Sequence, residues 1–427
     1  MAIEIITFGC RLNSYESEVI RKESTSAGLD ELKDDAIIFN TCAVTAEAVR
    51  QAKQAIRKAR RENPYARIIV TGCAAQTEAA SFSAMTEVNL ILGNEEKLHA
   101  HSYRQLPDFG VNHEEKLRVN DIMEVRKNAP HMIDAVEGRT RAFVQVQNGC
   151  DHHCTFCIIP YGRGPSRSVP MGAIIEQIKR LIDNGTQEVV LTGVDLTSYG
   201  SDLPGKTTLG KLVSAILHHI PDLQRLRLSS IDSIEADQDL INLLAYEKRI
   251  MPHLHLSLQA GDNMILKRMR RRHLRENAIQ FCQDLRAKRP TMVYGADLIA
   301  GFPTETEEMF ENSLTLINDC GLTHLHVFPF SPREGTPAAR MPQINRQTIK
   351  NRAEKLRKAG EKAYQKHLAH LQNSQQTILV EKDDIGRTED YTLAQIKGAK
   401  AGTIVRALII DHDGNKLIAA LPKSSAA

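Results

Sequence analysis

The sequence predicts an α/β protein in three parts: an N-terminal parallel-sheet domain, a central partial (βα)6 barrel and a small C-terminal β-barrel. Three observations predict it. Short apolar runs alternate with amphipathic helical stretches near the N-terminus, the pattern of stacked strand–helix–strand units. The alternation resumes between about residues 140 and 340 in six βα-like units. After a long polar helical stretch, the chain closes on four short strand-like runs. At 427 residues it can hold two or three domains, and the expected divisions are 1–105, 136–366 and 370–425.

In the first part, the runs at 3–8, 36–39 and 68–70 read as buried strands, with helices expected at 14–27 and 46–62. Asn63-Pro64 closes the second helix. A cysteine follows each strand: Gly9-Cys10, Thr41-Cys42 and Gly72-Cys73. The intervals between them are nearly equal, each about one βαβ unit long. Parallel strands end on one edge of their sheet, where α/β folds gather ligands. Three cysteines distant in sequence can therefore converge there. Burial alone explains a single cysteine; three in one topological position point to a shared ligand role.

The second cysteine set is local. Gly149-Cys150-Asp151-His152-His153-Cys154-Thr155-Phe156-Cys157 places three thiols at C-x3-C-x2-C spacing with no fourth close behind. A cubane iron–sulfur cluster normally takes four thiolates. Three leave one iron for a distant ligand or for a small molecule. Zinc is the other reading, but it prefers four closed ligands and C-x2-C pairs, and His152 or His153 would be an awkward neighbouring ligand.

Barrel strands are expected at 142–147, 188–192, 226–229, 253–258, 294–299 and 324–328. Active sites of such barrels lie at the C-terminal strand ends. The cysteine loop follows the first strand, Gly193 and Asp195 the second, Ser229 and Ser230 the third, Gln259 the fourth and Gly301 the fifth. Glycine there admits close approach of a flat ring to the backbone, although it also serves as an ordinary turn residue. A connector helix is expected from 346 to about 372, followed by strands at 377–381, 388–396, 403–410 and 417–421.

The motifs resemble the radical S-adenosylmethionine (SAM) methylthiotransferases. Ile6 to Asn13, Asn40 to Thr45 and Thr71-Gly72-Cys73 are similar to that family's N-terminal domain, and Asn148 to Ser168 to its cluster loop. Residues 378–381 and 386–391 resemble its TRAM domain, an OB-like module that grips RNA. The segment from His326 to Ala339 resembles the branch acting on N6-threonylcarbamoyladenosine in tRNA. Asp195 stands where many sequences of that branch carry a His.

The resemblance implies a radical SAM barrel and two 4Fe-4S clusters, one on Cys150, Cys154 and Cys157 and an auxiliary one on Cys10, Cys42 and Cys73. It places Phe156, Gly193, Asp195, Gln259 and Gly301 at the SAM site. It further implies transfer of a methylthio group to C2 of the modified adenine next to the anticodon, with SAM as radical source and methyl donor. The expected partners are a tRNA anticodon stem-loop and an electron donor of unspecified identity. Other targets within the same chemistry are isopentenyladenosine in tRNA and an aspartate of a ribosomal protein. A cluster-bearing RNA-binding or redox-sensing protein is the non-enzymatic alternative.

Composition adds bounds. A quarter of the residues are charged and the formal net charge is only +3. No run approaches the ~18 apolar residues of a membrane span, and the N-terminus lacks a signal-peptide pattern. The expected compartment is the cytoplasm, where clustered thiols serve metal or catalysis. Cys282 and Cys320 fall in helical patterns and read as core residues. The basic run from Lys267 to Arg275 suits RNA phosphates or a solvated helix end. Tyr391 is the one aromatic in the C-terminal part placed to stack on a base.

Overall fold

The computed structural model describes residues 3–31, 35–104, 116–126 and 140–422. The expected boundaries at 105, 136 and 425 lie outside them. Two units separate by their internal contacts: the described part of 1–133 with Gln147–Val169 and Ser331–Arg340, and the described part of 134–146 with Pro170–Phe330 and the chain from Met341 onward.

The first unit is built on a parallel sheet of five strands in chain order: Ile3–Thr7, Ala36–Thr41, Arg67–Gly72, Leu90–Leu92 and Leu117–Arg118. The second strand is buried along its whole length, as expected of a parallel strand covered on both faces. Helix Ala46–Glu62 shows why the pattern reads clearly. Val49, Ala52, Ile56 and Ala59 are buried on one face, and the Thr45 side chain accepts from Ala48 N at its start. The last two strands were not expected; at three and two residues they are too short for periodicity to register.

The second unit carries six parallel strands in chain order: Arg141–Gln145, Glu188–Thr192, Arg225–Leu228, His253–Gln259, Val293–Ala300 and Leu322–Pro329. They form two three-stranded sheets, joined by the single parallel bridges Leu226–Ile250 and Ile231–Leu256. Along the fourth strand, Leu254, Leu256 and Leu258 are fully buried, while His253, His255, Ser257 and Gln259 alternate onto the other face. Helix Arg346–Leu371 follows as expected. Cys282 and Cys320 are both fully buried, in keeping with a core role.

The same unit ends in a closed five-stranded barrel of Gln375–Lys382, Ile385–Thr388, Leu393–Ile396, Leu417–Ala420 and Ile404–His412. Ile378, Val380, Ala394, Ile396, Ile409 and Leu417 fill it, with Leu368 from the preceding helix. The single strand expected at 388–396 is two strands. Tyr391 has φ +73°, and Tyr391 N bonds to Thr388 O at 3.1 Å. This left-handed turn interrupts what composition alone reads as one extended run.

Candidate cluster and cofactor sites

All six sequence-predicted cysteine ligands lie in the first unit. Cys42 and Cys73 directly follow their strands, and Cys10 follows the first by three residues. Gly9 and Gly72 both hold the left-handed backbone, with φ of +98° and +95°. A Cβ on Gly9 would sit 2.7 Å from Cys42 Cβ and 2.9 Å from Cys42 Sγ. The turn carrying Cys10 therefore lies directly against the turn carrying Cys42. Burial drives the Cys42 thiol up to about 12, reinforced by the neighbouring Cys73 and Cys10 and only partly offset by the Val44 backbone N–H and, less, by Arg163. Three adjacent strand ends thus bring three thiols together, as the spacing predicted.

Side chains fix these turns. Asn13 Nδ2 donates to Phe8 O at 2.6 Å and Thr41 O at 3.2 Å, the carbonyls ahead of two of the cysteines. Asn94 Nδ2 donates to Cys73 Sγ at 3.6 Å. Behind them is a fully buried ion network. Arg163 Nη1 and Nη2 donate to the two Glu16 oxygens at 2.7 and 3.0 Å, and Lys97 Nζ lies 2.7 Å from Glu16 Oε2. Burial works to raise the Glu16 carboxyl, but Arg163 and Lys97 outweigh it and hold it at about 2. Sequence reasoning missed this network. Its members are isolated charged residues with no local spacing to connect them.

The Cys150–Cys157 loop is cinched at its base. Cys150 N bonds to Gly164 O at 3.1 Å, and Gly149, φ +73°, faces the Pro165 carbonyl where no Cβ fits. His152 N donates to Cys150 Sγ at 3.4 Å, and Cys157 N to Cys154 O at 3.1 Å. Cys154 is buried, whereas Cys150, Phe156 and Cys157 are half-buried. The loop is held from outside as well: Ala338 N donates to Thr155 O at 2.8 Å. The segment bearing Ala338 also places Arg333 Nη2 2.5 Å from Glu78 Oε1. Both three-thiol sets fit an iron–sulfur cluster in donor type and turn geometry. Neither shows the four closed thiolates and histidines of structural zinc.

In the second unit, Gly193 and Asp195 follow the second strand, and the Thr197 hydroxyl lies 3.3 Å from Asp195 Oδ1. Gln259 ends the fourth strand in a left-handed conformation, φ +67°, at a bulge. Gly301 follows the fifth strand, buried, and its N donates to Glu305 Oε2 at 3.0 Å. The four residues share the C-terminal edge of the six strands.

One cluster there was not foreseen. His255 Nε2 lies 2.8 Å and His326 Nδ1 3.2 Å from Asp297 Oδ1, on three adjacent strands. Their donor atoms lie within 4.8 Å of one another, a spacing that admits a metal. Burial works to raise the Asp297 carboxyl, but the two ring hydrogen bonds outweigh it and hold it well below the usual range. The signal in sequence was the period-two placement of His253, His255, His324 and His326.

The basic run is largely committed within the protein. Arg271 Nη2 bonds Asp232 at 2.6 Å and Ser257 O at 2.7 Å, and Arg272 and Arg275 pair with Glu235 and Asp319. Helix Asn263–Arg268 ends inside the run, with Lys267 and Arg268 in its last turn, and buried His273 breaks it, so it is a helix end rather than one continuous cationic face.

Residues 144–317 match the radical SAM superfamily, and residues 2–93 match the uncharacterized protein family UPF0004. The threonylcarbamoyladenosine tRNA methylthiotransferase MtaB of Rickettsia prowazekii is 52% identical over 408 residues, covering 95% of this chain and 94% of that protein. The chain belongs to the radical SAM tRNA methylthiotransferase family. The Bacillus subtilis protein of the same description is 33% identical, over 95% of this chain and 92% of its own. A tRNA-2-methylthio-N(6)-dimethylallyladenosine synthase of Natranaerobius thermophilus is 32% identical, over 92% and 90%. Among solved structures, the radical SAM methyltransferase TsrM of Kitasatospora setae aligns with TM-score 0.56 at 12% identity, over 77% of this chain and 74% of that one. That likeness concerns the fold. Among the described residues no helix is long and apolar enough to cross a membrane.

Proposed function

We propose that this methylthiotransferase acts on N6-threonylcarbamoyladenosine in a tRNA anticodon stem-loop, adding a methylthio group at C2 of the base. The observation that carries the reading is the pair of three-cysteine sets in one unit, in a chain 52% identical across nearly its whole length to a protein of that described activity. One open cluster serves radical formation, and a second suits a reaction that must also deliver sulfur.

Cys150, Cys154 and Cys157 would hold one 4Fe-4S cluster, and Cys10, Cys42 and Cys73 the other. When bound, these groups supply the electron that cleaves SAM to a carbon radical and a place for the sulfur to be transferred. The chain's own residues orient and shield. The cinched loop would present its three thiolates to the cluster, with Phe156 in the turn between Cys154 and Cys157. Gly193, Asp195, Gln259 and Gly301 would receive SAM along the strand edge, where the glycines admit the adenine. We assign residues 1–105 to the auxiliary-cluster domain, 136–366 to the radical SAM barrel and 370–425 to the TRAM-like RNA-binding domain.

Mass spectrometry of tRNA nucleosides from a deletion strain tests the substrate. The expected result is loss of 2-methylthio-N6-threonylcarbamoyladenosine with gain of its unthiolated precursor. Loss of the dimethylallyl-type nucleoside instead would transfer the assignment to that branch.

A further inference from the structure

The ion network beneath the auxiliary cysteines is arranged as two parallel relays. Arg163 Nη2 donates to Asn13 Oδ1 at 2.6 Å, and the Asn13 amide holds the carbonyls ahead of Cys10 and Cys42. Lys97 Nζ donates to Asn94 Oδ1 at 2.7 Å, and Asn94 Nδ2 points at Cys73 Sγ. Each cation therefore stands one amide behind the thiols. Both share Glu16, so two positive charges face one negative charge in a site where all three side chains are at most 2% exposed.

Arg163 also belongs to the other loop. It lies six residues after Cys157, and its Nη1 donates to Asn148 Oδ1 at 3.1 Å. Asn148 Oδ1 in turn accepts from Gly149 N at 2.9 Å, at the start of the Cys150 loop. One guanidinium thus fastens both ends of the SAM-cluster loop to the floor of the auxiliary site.

We propose that Arg163 is a positioning residue that sets the reduction potential of the auxiliary cluster, its charge favouring the reduced state. Iron–sulfur potentials follow net charge and hydrogen bonding around the sulfurs. A buried charge acts through low dielectric and is little screened by salt. Reduction adds one electron to an anionic site, so a fixed cation beside it raises the potential. Glu16 opposes that effect while orienting the guanidinium. This inference rests on the reading that Cys10, Cys42 and Cys73 hold a cluster.

The test is an EPR-monitored redox titration of the reconstituted holoenzyme, with SAM added to displace the signal of the other cluster. Arg163→Gln is expected to move the auxiliary midpoint to more negative potential and Arg163→Lys to restore most of it. Glu16→Gln is nearly isosteric and removes the negative charge, although it leaves one acceptor where Arg163 and Lys97 now find two, so it is expected to move the midpoint the opposite way. Unchanged midpoints, or shifts in one common direction, would overturn the inference. If Arg163→Gln fails to assemble the cluster, Glu16→Gln decides alone. Absence of an auxiliary signal in the wild-type holoenzyme would instead refute the two-cluster reading beneath it.

Discussion

Tyr391 stacks on His253 with ring centroids 5.1 Å apart and planes inclined by 26°. The guanidinium groups of Arg387, Arg227 and Arg141 lie 4.4, 5.1 and 5.2 Å from the same ring. The aromatic that the sequence offered as a stacking surface for RNA thus joins the C-terminal barrel to the base of the fourth strand. Tyr391→Ala is expected to destabilise this unit by about 2 kcal/mol, through lost ring packing and cation–π contact. Tyr391→Phe should cost little. Thermal unfolding checks both; an unchanged melting temperature with weakened tRNA binding would return Tyr391 to the RNA.

Glu188 anchors the same junction. It is fully buried, with Arg225 Nε and Arg227 Nε each at 2.8 Å and Arg141 bonded as well. Arg225 Nη2 and Arg227 Nη2 reach on to Thr388 O at 3.1 and 3.0 Å. Burial works to raise the Glu188 carboxyl, but the three arginines outweigh it and hold it at about 2. A lowered carboxyl binds its proton less readily when folded. Its contribution is therefore complete above about pH 4.5 and lost as pH falls towards 2. Glu188→Gln strands buried arginines and is expected to cost about 3 kcal/mol at neutral pH. Denaturation profiles of the two proteins should converge below pH 4; parallel profiles would show that Glu188 does not govern acid stability.

The long elements and both cysteine sets were legible because each rests on a local rule. Helix Ala46–Glu62 announces itself by apolar spacing, and Cys10, Cys42 and Cys73 by recurring after strands. What was not legible depends on distant partners. Glu16, Lys97 and Arg163 meet only once the sheet and the Cys150 loop are assembled. Tyr391 looked free to bind RNA because nothing nearby in sequence reveals His253 as its neighbour. The partners of the basic run were hidden for the same reason: Asp232, Glu235 and Asp319, which pair with Arg271, Arg272 and Arg275, lie on other elements.

Gly72 tests the turn geometry at the auxiliary site. Its φ is +95°, and a Cβ would lie 2.7 Å from Asn40 Oδ1 and closer still to the Thr41 backbone. Gly72→Ala should displace the Cys42 and Cys73 turns together. The expected protein retains the iron of one cluster and loses that of the other, as iron analysis with EPR would show. Full iron at both sites would mean that the turn tolerates the strain.

Glu305 carries the opposite pH signature to Glu188. Burial raises its carboxyl to about 7, against the opposing charge of Arg352 at 3.0 Å. The folded state holds this proton more tightly than the unfolded chain. The stabilisation is therefore present below about pH 4.5 and lost as pH rises through 7. Glu305→Gln keeps an acceptor for Gly301 N and for Arg352, so the variant should lose little stability at acidic pH and gain on the wild type near pH 8. Urea unfolding at pH 5 and pH 8 measures the difference. Equal pH responses in both proteins would refute the assignment.

The two cysteine sets should also separate in turnover. Cys10 is exposed, and its Sγ lies 3.9 Å from Asn13 Oδ1, so replacing it removes one thiolate without emptying a core position. Cys10→Ala should abolish methylthiolation while SAM is still cleaved to 5′-deoxyadenosine. Cys157→Ala removes a proposed ligand from the loop that would hold the SAM-binding cluster and should abolish both. Chromatography with mass detection follows deoxyadenosine and modified nucleoside in one assay. The separation has a structural limit, because Arg163 ties the Cys150 loop to Asn13 and Glu16 below the auxiliary thiols. A modest slowing of SAM cleavage in Cys10→Ala is consistent with that tie. Complete loss of cleavage would mean that the two sites do not act separately.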